Sequence, residues 1–331
     1  MMNIALGFDS NFAPYAAVTI KSILLHNKNI KFYIMFDNLK QVDMKKIDKL
    51  IKSGENCSAE WIDMTGKFDH LSAGGWKSKS VYFPVALPTI CPDERILFLD
   101  ADILVTENLE TLYNQNLEGY YLAGTLDYGI ISEFMCNSPV TSETCGGDIP
   151  ARDYFNEIFK FTSVEDFNDY VNGGILLLNL HELRKDNIEN KMYELFNKID
   201  FALNEQDCYN FVCKGRKKIL TKEEAMLVLK NYTIDEIPEN YKQEYLDNYS
   251  ENKKHTIVHL IKKPWLYPEE YIPYGDLFRQ IRKQTPYKYH RHRKEIFKFR
   301  YHKSAKYFVL LGHTLFSDKP DYKRYKELAT K

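Results

Sequence analysis

Residues 95–105 read Arg95-Ile96-Leu97-Phe98-Leu99-Asp100-Ala101-Asp102-Ile103-Leu104-Val105, an apolar run, two acids in alternate positions and a second apolar run. An uninterrupted run of this kind reads as a strand buried on both faces, as in a sheet covered by helices. Two carboxylates at its end are costly unless something cationic meets them, because unpaired buried charge is strongly disfavoured. In an extended chain, residues two apart point to the same side. Asp100 and Asp102 can therefore face one divalent ion with oxygen preference, Mn2+ or Mg2+. A strand end whose acids cap a helix or pair with arginine is the competing reading. The carboxyl end of a strand is where open α/β sheets bind ligands, and that favours the ion.

Upstream, residues 3–8 read as a short buried strand ending at Asp9. Asn11 to Pro14 then turn the chain into a helix with Ala16, Ala17, Ile20, Ile23 and Leu24 on one face. A strand from Ile30 to Phe36, a helix from about Gln41 to Gly54 and a strand from Ser58 to Met64 follow. This alternation marks an α/β fold, with a mainly parallel sheet and crossover helices. Residues 78–90 read as a helix made irregular by Pro84 and Pro88. Downstream, Tyr120 to Thr125 and Ile175 to Leu178 read as strands, Ile188 to Ile199 as an amphipathic helix, and Thr256 to Ile261 as a late strand. A further helix opens at Asn204-Glu205-Gln206-Asp207. Residues 126–168, polar around Cys145-Gly146-Gly147-Asp148, read as a long loop over an active site.

A strand-end cation implies an anionic ligand, most naturally a diphosphate. The chain has no Gly-x-x-x-x-Gly-Lys-Ser/Thr loop, so it does not read as a P-loop enzyme, and no Gly-x-Gly-x-x-Gly follows the first strand. Asp9 suits either a base or ribose contact or a helix N-cap. His259, within Ile257-Val258-His259-Leu260-Ile261, is either a core histidine or a ligand. Lys263-Pro264-Trp265 just after it offers a cation and an aromatic plate.

The 331 residues hold 45 Lys+Arg against 46 Asp+Glu, so net charge makes no case for nucleic acid. Cys57, Cys91, Cys136, Cys145, Cys208 and Cys213 form no Cys-x-x-Cys pair, and read as reduced thiols of a cytosolic protein. Cys136 and Cys145, which bracket the polar stretch, are the pair to inspect. The start, Met1 to Asp9, lacks a basic n-region and does not read as a signal peptide. No apolar run approaches the ~20 residues of a membrane span. Charge asymmetry lies at the far end. Arg279 to Leu310 contains eleven Lys/Arg against one acid, Glu295. Drawn as a helix, that segment puts Ile296, Phe297, Arg300, Tyr301, Ser304, Tyr307, Phe308 and Leu311 on one face. A basic aromatic helix suits an anionic membrane surface, and a solvated basic face is the alternative. No nucleic-acid reading motif accompanies the charge.

Five motifs occur in an order that resembles the family 8 retaining glycosyltransferases. They are Asp9-Ser10-Asn11-Phe12-Ala13-Pro14-Tyr15, Leu99 to Val105, Val171-Asn172-Gly173-Gly174-Ile175 with Asn179-Leu180, Asn204-Glu205-Gln206-Asp207, and His259…Lys263-Pro264-Trp265. The chain looks like the bacterial lipopolysaccharide galactosyl- and glucosyltransferases, and more distantly like glycogenin, from residue 3 to about 266. The resemblance implies a GT-A fold, the Rossmann-like architecture of nucleotide-diphospho-sugar transferases, over residues 1–275, with a basic helical extension over 276–331. It implies a UDP-hexose donor (glucose or galactose), a glycan or lipid-linked saccharide acceptor, Mn2+ with Mg2+ as the alternative, and a cytoplasmic place at the inner face of the membrane. Asp100, Asp102 and His259 would be metal ligands. Asp9 and Asn11 would contact uracil and ribose, Asp100 and Ala101 would line the donor, and Lys263 would reach the diphosphate. Asn172, Gly173 and Asp127 would meet the donor sugar, with Gln206 beneath the anomeric carbon and Glu205 beside it.

The chain departs from the family pattern at three points. Pro84 stands two residues after Tyr82, where Arg or Lys is common, leaving Lys77 and Lys79 as substitutes. The His259-to-Lys263 stretch is two residues shorter than His-x-x-Gly-x-x-Lys and lacks its glycine. Glu205 stands where Asp is usual. Two alternative functions remain: a non-catalytic nucleotide- or partner-binding member, and a sugar-phosphate nucleotidyltransferase, whose Gly-rich N-terminal loop is absent after strand one.

Overall fold

β1 (Met2–Asp9), β2 (Ile30–Asp37) and β3 (Ser58–Asp63) pair in parallel through two crossover helices, α1 (Ala13–His26) and α2 (Gln41–Ile51). This is a computed structural model; it describes residues 1–71, 78–228, 254–267 and 271–292, and the strands 297–302, 305–310 and 313–317. Pro14 supplies a fixed φ in the first turn of α1, and Ala16 and Ala17 let that helix lie close on the sheet. β4 (Arg95–Leu99) joins the other edge of β1 in parallel. The strand Val171–Asn179, β9, runs antiparallel between β4 and β6 (Leu122–Leu126), and β10 (Lys217–Ile219) completes the order β10-β6-β9-β4-β1-β2-β3. Alternate residues feed two cores. Leu97 and Leu99 face α1 with Ile4, Leu6 and Ile20, whereas Ile96 and Phe98 face the opposite layer with Tyr33, Tyr82 and Phe83. The result is the mixed, mainly parallel α/β sheet expected from the sequence.

The acids of residues 100–102 lie in a turn that ends β4. Ile103–Val105 is therefore a separate strand, β5, paired antiparallel with β12 (Ile257–His259), which in turn pairs in parallel with β11 (Ala225–Leu227). The alternating-strand argument for two convergent carboxylates is thus corrected: a turn, not an extended run, brings them together. The irregular helix is present as a 3-10 helix over Lys79–Ala86 followed by the short helix Leu87–Ile90.

Residues 126–168 are not a loop. They fold as the helix Tyr128–Cys136, a hairpin of β7 (Pro139–Ser142) and β8 (Gly147–Pro150), the helix Ala151–Phe159 and a 3-10 turn over Val164–Phe167. Their polar residues coat an aromatic core. Phe155 lies 4.9 Å from Phe167 and 5.7 Å from Tyr170, ring centre to ring centre, and Phe161 lies 4.8 Å from Phe167. Truncating one such buried ring costs about 3–5 kcal/mol, enough for a small module to hold its shape. Cys136 and Cys145 are half-buried and not joined by a disulfide.

The helix Gly275–Arg282 packs Phe278 and Ile281 against Trp265 and Val18 in a third core. Beyond it the expected helix is replaced by three antiparallel strands: β13 (Phe297–His302), β14 (Ala305–Leu310) and β15 (His313–Ser317). Phe297, Phe299 and Tyr301 alternate with Lys298, Arg300 and His302, a period of two in residues of high strand propensity. Ile296, Arg293, Lys294, Glu295, Lys303, Ser304 and Leu311 lie outside the described residues. Among the described residues no helix is long and apolar enough to cross a membrane.

Candidate active site

Asp100, Asp102 and His259 converge at the carboxyl end of β4, each offering one ligand atom within 4.8 Å of the others. His259 Nε2 is 3.1 Å from Asp102 Oδ1 and 3.6 Å from Asp100 Oδ2. The other ring nitrogen, Nδ1, is 2.9 Å from Asn172 Oδ1. Asn172 Nδ2 donates to Asp127 Oδ2 at 2.8 Å, so its Oδ1 is the atom facing His259, and the imidazole proton sits on Nδ1. Nε2 then points a lone pair at two carboxylates. Asp102 Oδ1 is buried and has no hydrogen-bond donor. Such an arrangement is unfavourable until a cation joins it. Two carboxylate oxygens and an imidazole form a donor set for a divalent ion of hard or borderline character. Gly174 completes the cradle, since a methyl there would lie 2.4 Å from His259 Cε1 and 2.6 Å from Asp100 Oδ2. The residues present therefore fit a divalent ion.

The charges respond to one another. Burial raises the Asp100 carboxyl to about 6, and the neighbouring Asp102 adds to the rise. Burial also pushes Asp102 upward, but the Lys263 ammonium outweighs it and holds that carboxyl well below the usual range. Lys263 Nζ donates to Asp102 Oδ2.

Beside the cluster, the helix Asn204–Val212 presents Gln206. Its carboxamide is fixed at both ends: Oε1 accepts from Gly173 N at 2.8 Å, and Nε2 donates to Asp127 Oδ2 at 3.0 Å. Asp127 caps the helix Tyr128–Cys136 through Ile130 N. One chain of hydrogen bonds thus runs from Gln206 through Asp127 and Asn172 to His259, whose other nitrogen faces the acids. Burial pushes the Glu205 carboxyl well above its ordinary value, with Asp100 adding to the effect.

Residues 3–269 match the family model of glycosyl transferase family 8. The chain belongs to that family. A putative glycosyltransferase of Haemophilus influenzae is 27% identical over 230 residues, which are 66% of this chain and 61% of that protein. The lipopolysaccharide 1,2-glucosyltransferase of Escherichia coli K12 is 23% identical over 249 residues, 73% of this chain and 67% of that one. Among solved structures, the apo bifunctional glycosyltransferase WbbM aligns with a TM-score of 0.74 at 19% identity, over 87% of this chain and 50% of that chain. The galactosyltransferase LgtC, solved with donor and acceptor sugar analogues, gives 0.62 at 18% identity over 86% and 96%. At these identities the structural likeness speaks for the fold, and the fold is GT-A.

Within this family 8 chain, the positions singled out from sequence meet different fates. Asp100, Asp102, His259, Lys263, Asn172, Gly173, Asp127, Gln206 and Glu205 come together around the carboxyl end of β4, and Ala101 sits buried in the turn between the acids. Asp9 and Asn11 lie at the same end of the sheet, where β1 finishes. There Asp9 accepts from Asn11 N and Phe12 N, each at 2.9 Å, and from the Asn11 side chain, closing the turn into α1. Trp265 is not a ligand plate: it stacks on Tyr15 at 3.9 Å and packs on Phe278, because a buried indole gains more from the core than from solvent. Lys79 donates to the Leu71 carbonyl, and Lys77 lies outside the described residues. Pro84 lends its carbonyl to Tyr209 Oη at 2.9 Å.

Sequence reasoning missed the role of a further buried carboxylate in the family 8 site. Asp207 accepts from Tyr154 Oη and Leu203 N at 2.6 and 2.9 Å, and from Tyr170 Oη, so it fastens the aromatic module to the helix that carries Gln206. Burial raises its carboxyl to about 6, against the pull of those three donors. The folded chain therefore binds this proton more tightly than the unfolded chain, where the group titrates near 3.8. Its contribution favours folding most below about pH 4 and is lost as pH rises through 6. The urea unfolding free energy of the wild type, less that of Asp207→Asn, is expected to fall by up to about 3 kcal/mol between pH 4 and 7. A flat difference refutes the assignment.

Proposed function

We propose that this chain is a retaining glycosyltransferase that moves a hexose, glucose or galactose, from UDP to a glycan or lipid-linked saccharide in a Mn2+-dependent reaction. The observation that carries the proposal is the donorless, buried Asp102 Oδ1 facing the lone pair of His259 beside Gly174. A bound divalent ion would supply Lewis-acid stabilisation to a departing diphosphate. The chain's own residues do the rest. Lys263 would add a positive charge on the leaving-group side. Asp127, Asn172 and the Gly173 amide hold the Gln206 carboxamide in one orientation. A carboxamide tied at both ends is a weak nucleophile, which disfavours a covalent glycosyl intermediate. Retention then follows from front-face transfer. The anomeric C–O bond to UDP breaks, the acceptor oxygen bonds the same face, and the acceptor proton passes to the departing phosphate oxygen.

The test is UDP release from a panel of UDP-sugars with and without Mn2+. Metal-dependent release from one UDP-hexose supports the reading. Binding of UDP without turnover of any donor would instead make the chain a non-catalytic member.

The basic run from Arg279 onward supports a place on an anionic membrane surface at the cytoplasmic face, by charge rather than by an amphipathic helix. Vesicles containing anionic lipid are expected to pellet the full chain but not a chain truncated after His292. That cut spares Tyr287, which is buried and donates to Asp43 at 2.7 Å. Equal recovery of both would refute the membrane role.

A further inference from the structure

The shortened stretch between His259 and Lys263 has a consequence at the acids. Val228 O accepts from Lys262 N at 2.8 Å, and Lys263 O accepts from Leu266 N at 3.0 Å, so the backbone on both sides of the lysine is pinned. Its four-carbon stem reaches back to Asp102, where the ammonium occupies Oδ2 while Oδ1 is left to the face shared with His259. The pair is largely withdrawn from solvent, with side-chain exposures of 16% for Lys263 and 7% for Asp102. A divalent ion on Asp102 would meet a positive charge already in contact with the same carboxylate, in surroundings that screen repulsion poorly.

We propose that Lys263 is the internal cation of this site: it neutralises Asp102 when no divalent ion is bound, competes with the ion for that carboxylate, and is released from Asp102 when the ion binds. The inference deepens the metal-dependent reading above and rests on it. The pinned backbone confines the change to the side chain, whose flexible stem allows it. Because coupling between two ligands is reciprocal, any diphosphate that draws Lys263 away from Asp102 strengthens metal binding by the same factor.

The experiment is calorimetric titration of the intact chain with Mn2+ alone, for wild type, Lys263→Met and Lys263→Arg, repeated at saturating UDP. Without nucleotide, Lys263→Met is expected to bind Mn2+ about tenfold tighter than wild type, and Lys263→Arg about as weakly as wild type. Lys263→Met binding Mn2+ no more tightly than wild type would overturn the proposal. The UDP arm tests the donor reading separately: no response to UDP in any protein rejects that reading, while the Mn2+-only comparison still decides the role of Lys263. Should Lys263→Met fail to fold, reductive methylation of the wild type replaces it. Mn2+ is expected to raise the modification of Lys263, read by peptide mass, and an unchanged yield overturns the proposal.

Discussion

Asp102→Asn is expected to lower kcat/KM for UDP-hexose transfer by about a thousandfold or more at saturating Mn2+, and to flatten the Mn2+ titration. The two side chains have nearly the same shape, so no cavity opens, and what changes is charge. In the wild type, Lys263 holds the Asp102 carboxyl far below its ordinary range, so it remains anionic at any working pH. An asparagine cannot answer the ammonium in that way, and its carbonyl is a weaker ligand than a carboxylate for a hard or borderline ion. The variant also leaves the Lys263 ammonium largely buried beside a neutral group, and breaking one side of such a pair costs about 3–5 kcal/mol where burial is complete. Since Lys263 can turn toward solvent, the loss of stability should be smaller than the loss of activity. Urea unfolding measured beside the kinetics separates the two. Near-normal turnover in a well-folded Asp102→Asn chain would reject the metal-site assignment.

The sequence made the frame legible because its signals are local. The apolar runs of β1, β2 and β4, Pro14 at the start of α1 and the acids after Leu99 each announce themselves within a few residues. The aromatic module was hidden for the opposite reason. Phe134, Phe155, Phe161 and Phe167 meet only in three dimensions and follow neither a helical nor a strand period, so the polar residues between them dominated the reading. In the C-terminal segment the aromatics are so dense that helical and strand templates both fit, and alternation with Lys298 and Arg300 prevailed. Within the site, motif spacing indicated which residues assemble but not where their tips point. Trp265 turned into the core and Lys263 onto Asp102, outcomes set by neighbours distant in sequence. Asp207 gave a weaker signal still. Its partner Tyr154 lies within residues 126–168, which read as a loop, and Tyr170 lies just beyond them, so nothing in the sequence suggests that a carboxylate meeting both would be buried.

The two adjacent glycines of β9 allow metal binding and sugar positioning to be separated by adding a single carbon. Gly174→Ala is expected to weaken Mn2+ binding at least about tenfold and transfer about a hundredfold. Its φ lies in the range any residue adopts, so the penalty is steric. The new methyl would lie 2.4 Å from His259 Cε1 and 2.6 Å from Asp100 Oδ2, and would force both proposed ligands outward. His259 cannot yield cheaply, because it is buried on β12 and tied to Asn172. Gly173→Ala meets different neighbours, at 3.1 Å from Gln206 Cβ and 3.2 Å from Glu205 Oε1. Those contacts are tight but can shift by a few tenths of an ångström. That variant should keep its Mn2+ affinity within about threefold while kcat falls, because the hydrogen bond from the Gly173 amide to Gln206 is disturbed and the metal cradle is not. The pair of titrations and rate measurements thus tests whether ion and sugar are handled by neighbouring but distinct atoms of one strand. Equal loss of Mn2+ affinity in both variants would mean that the two halves of the site cannot be separated, and a Gly174→Ala chain that binds Mn2+ as the wild type does would remove His259 and Asp100 from the coordination sphere.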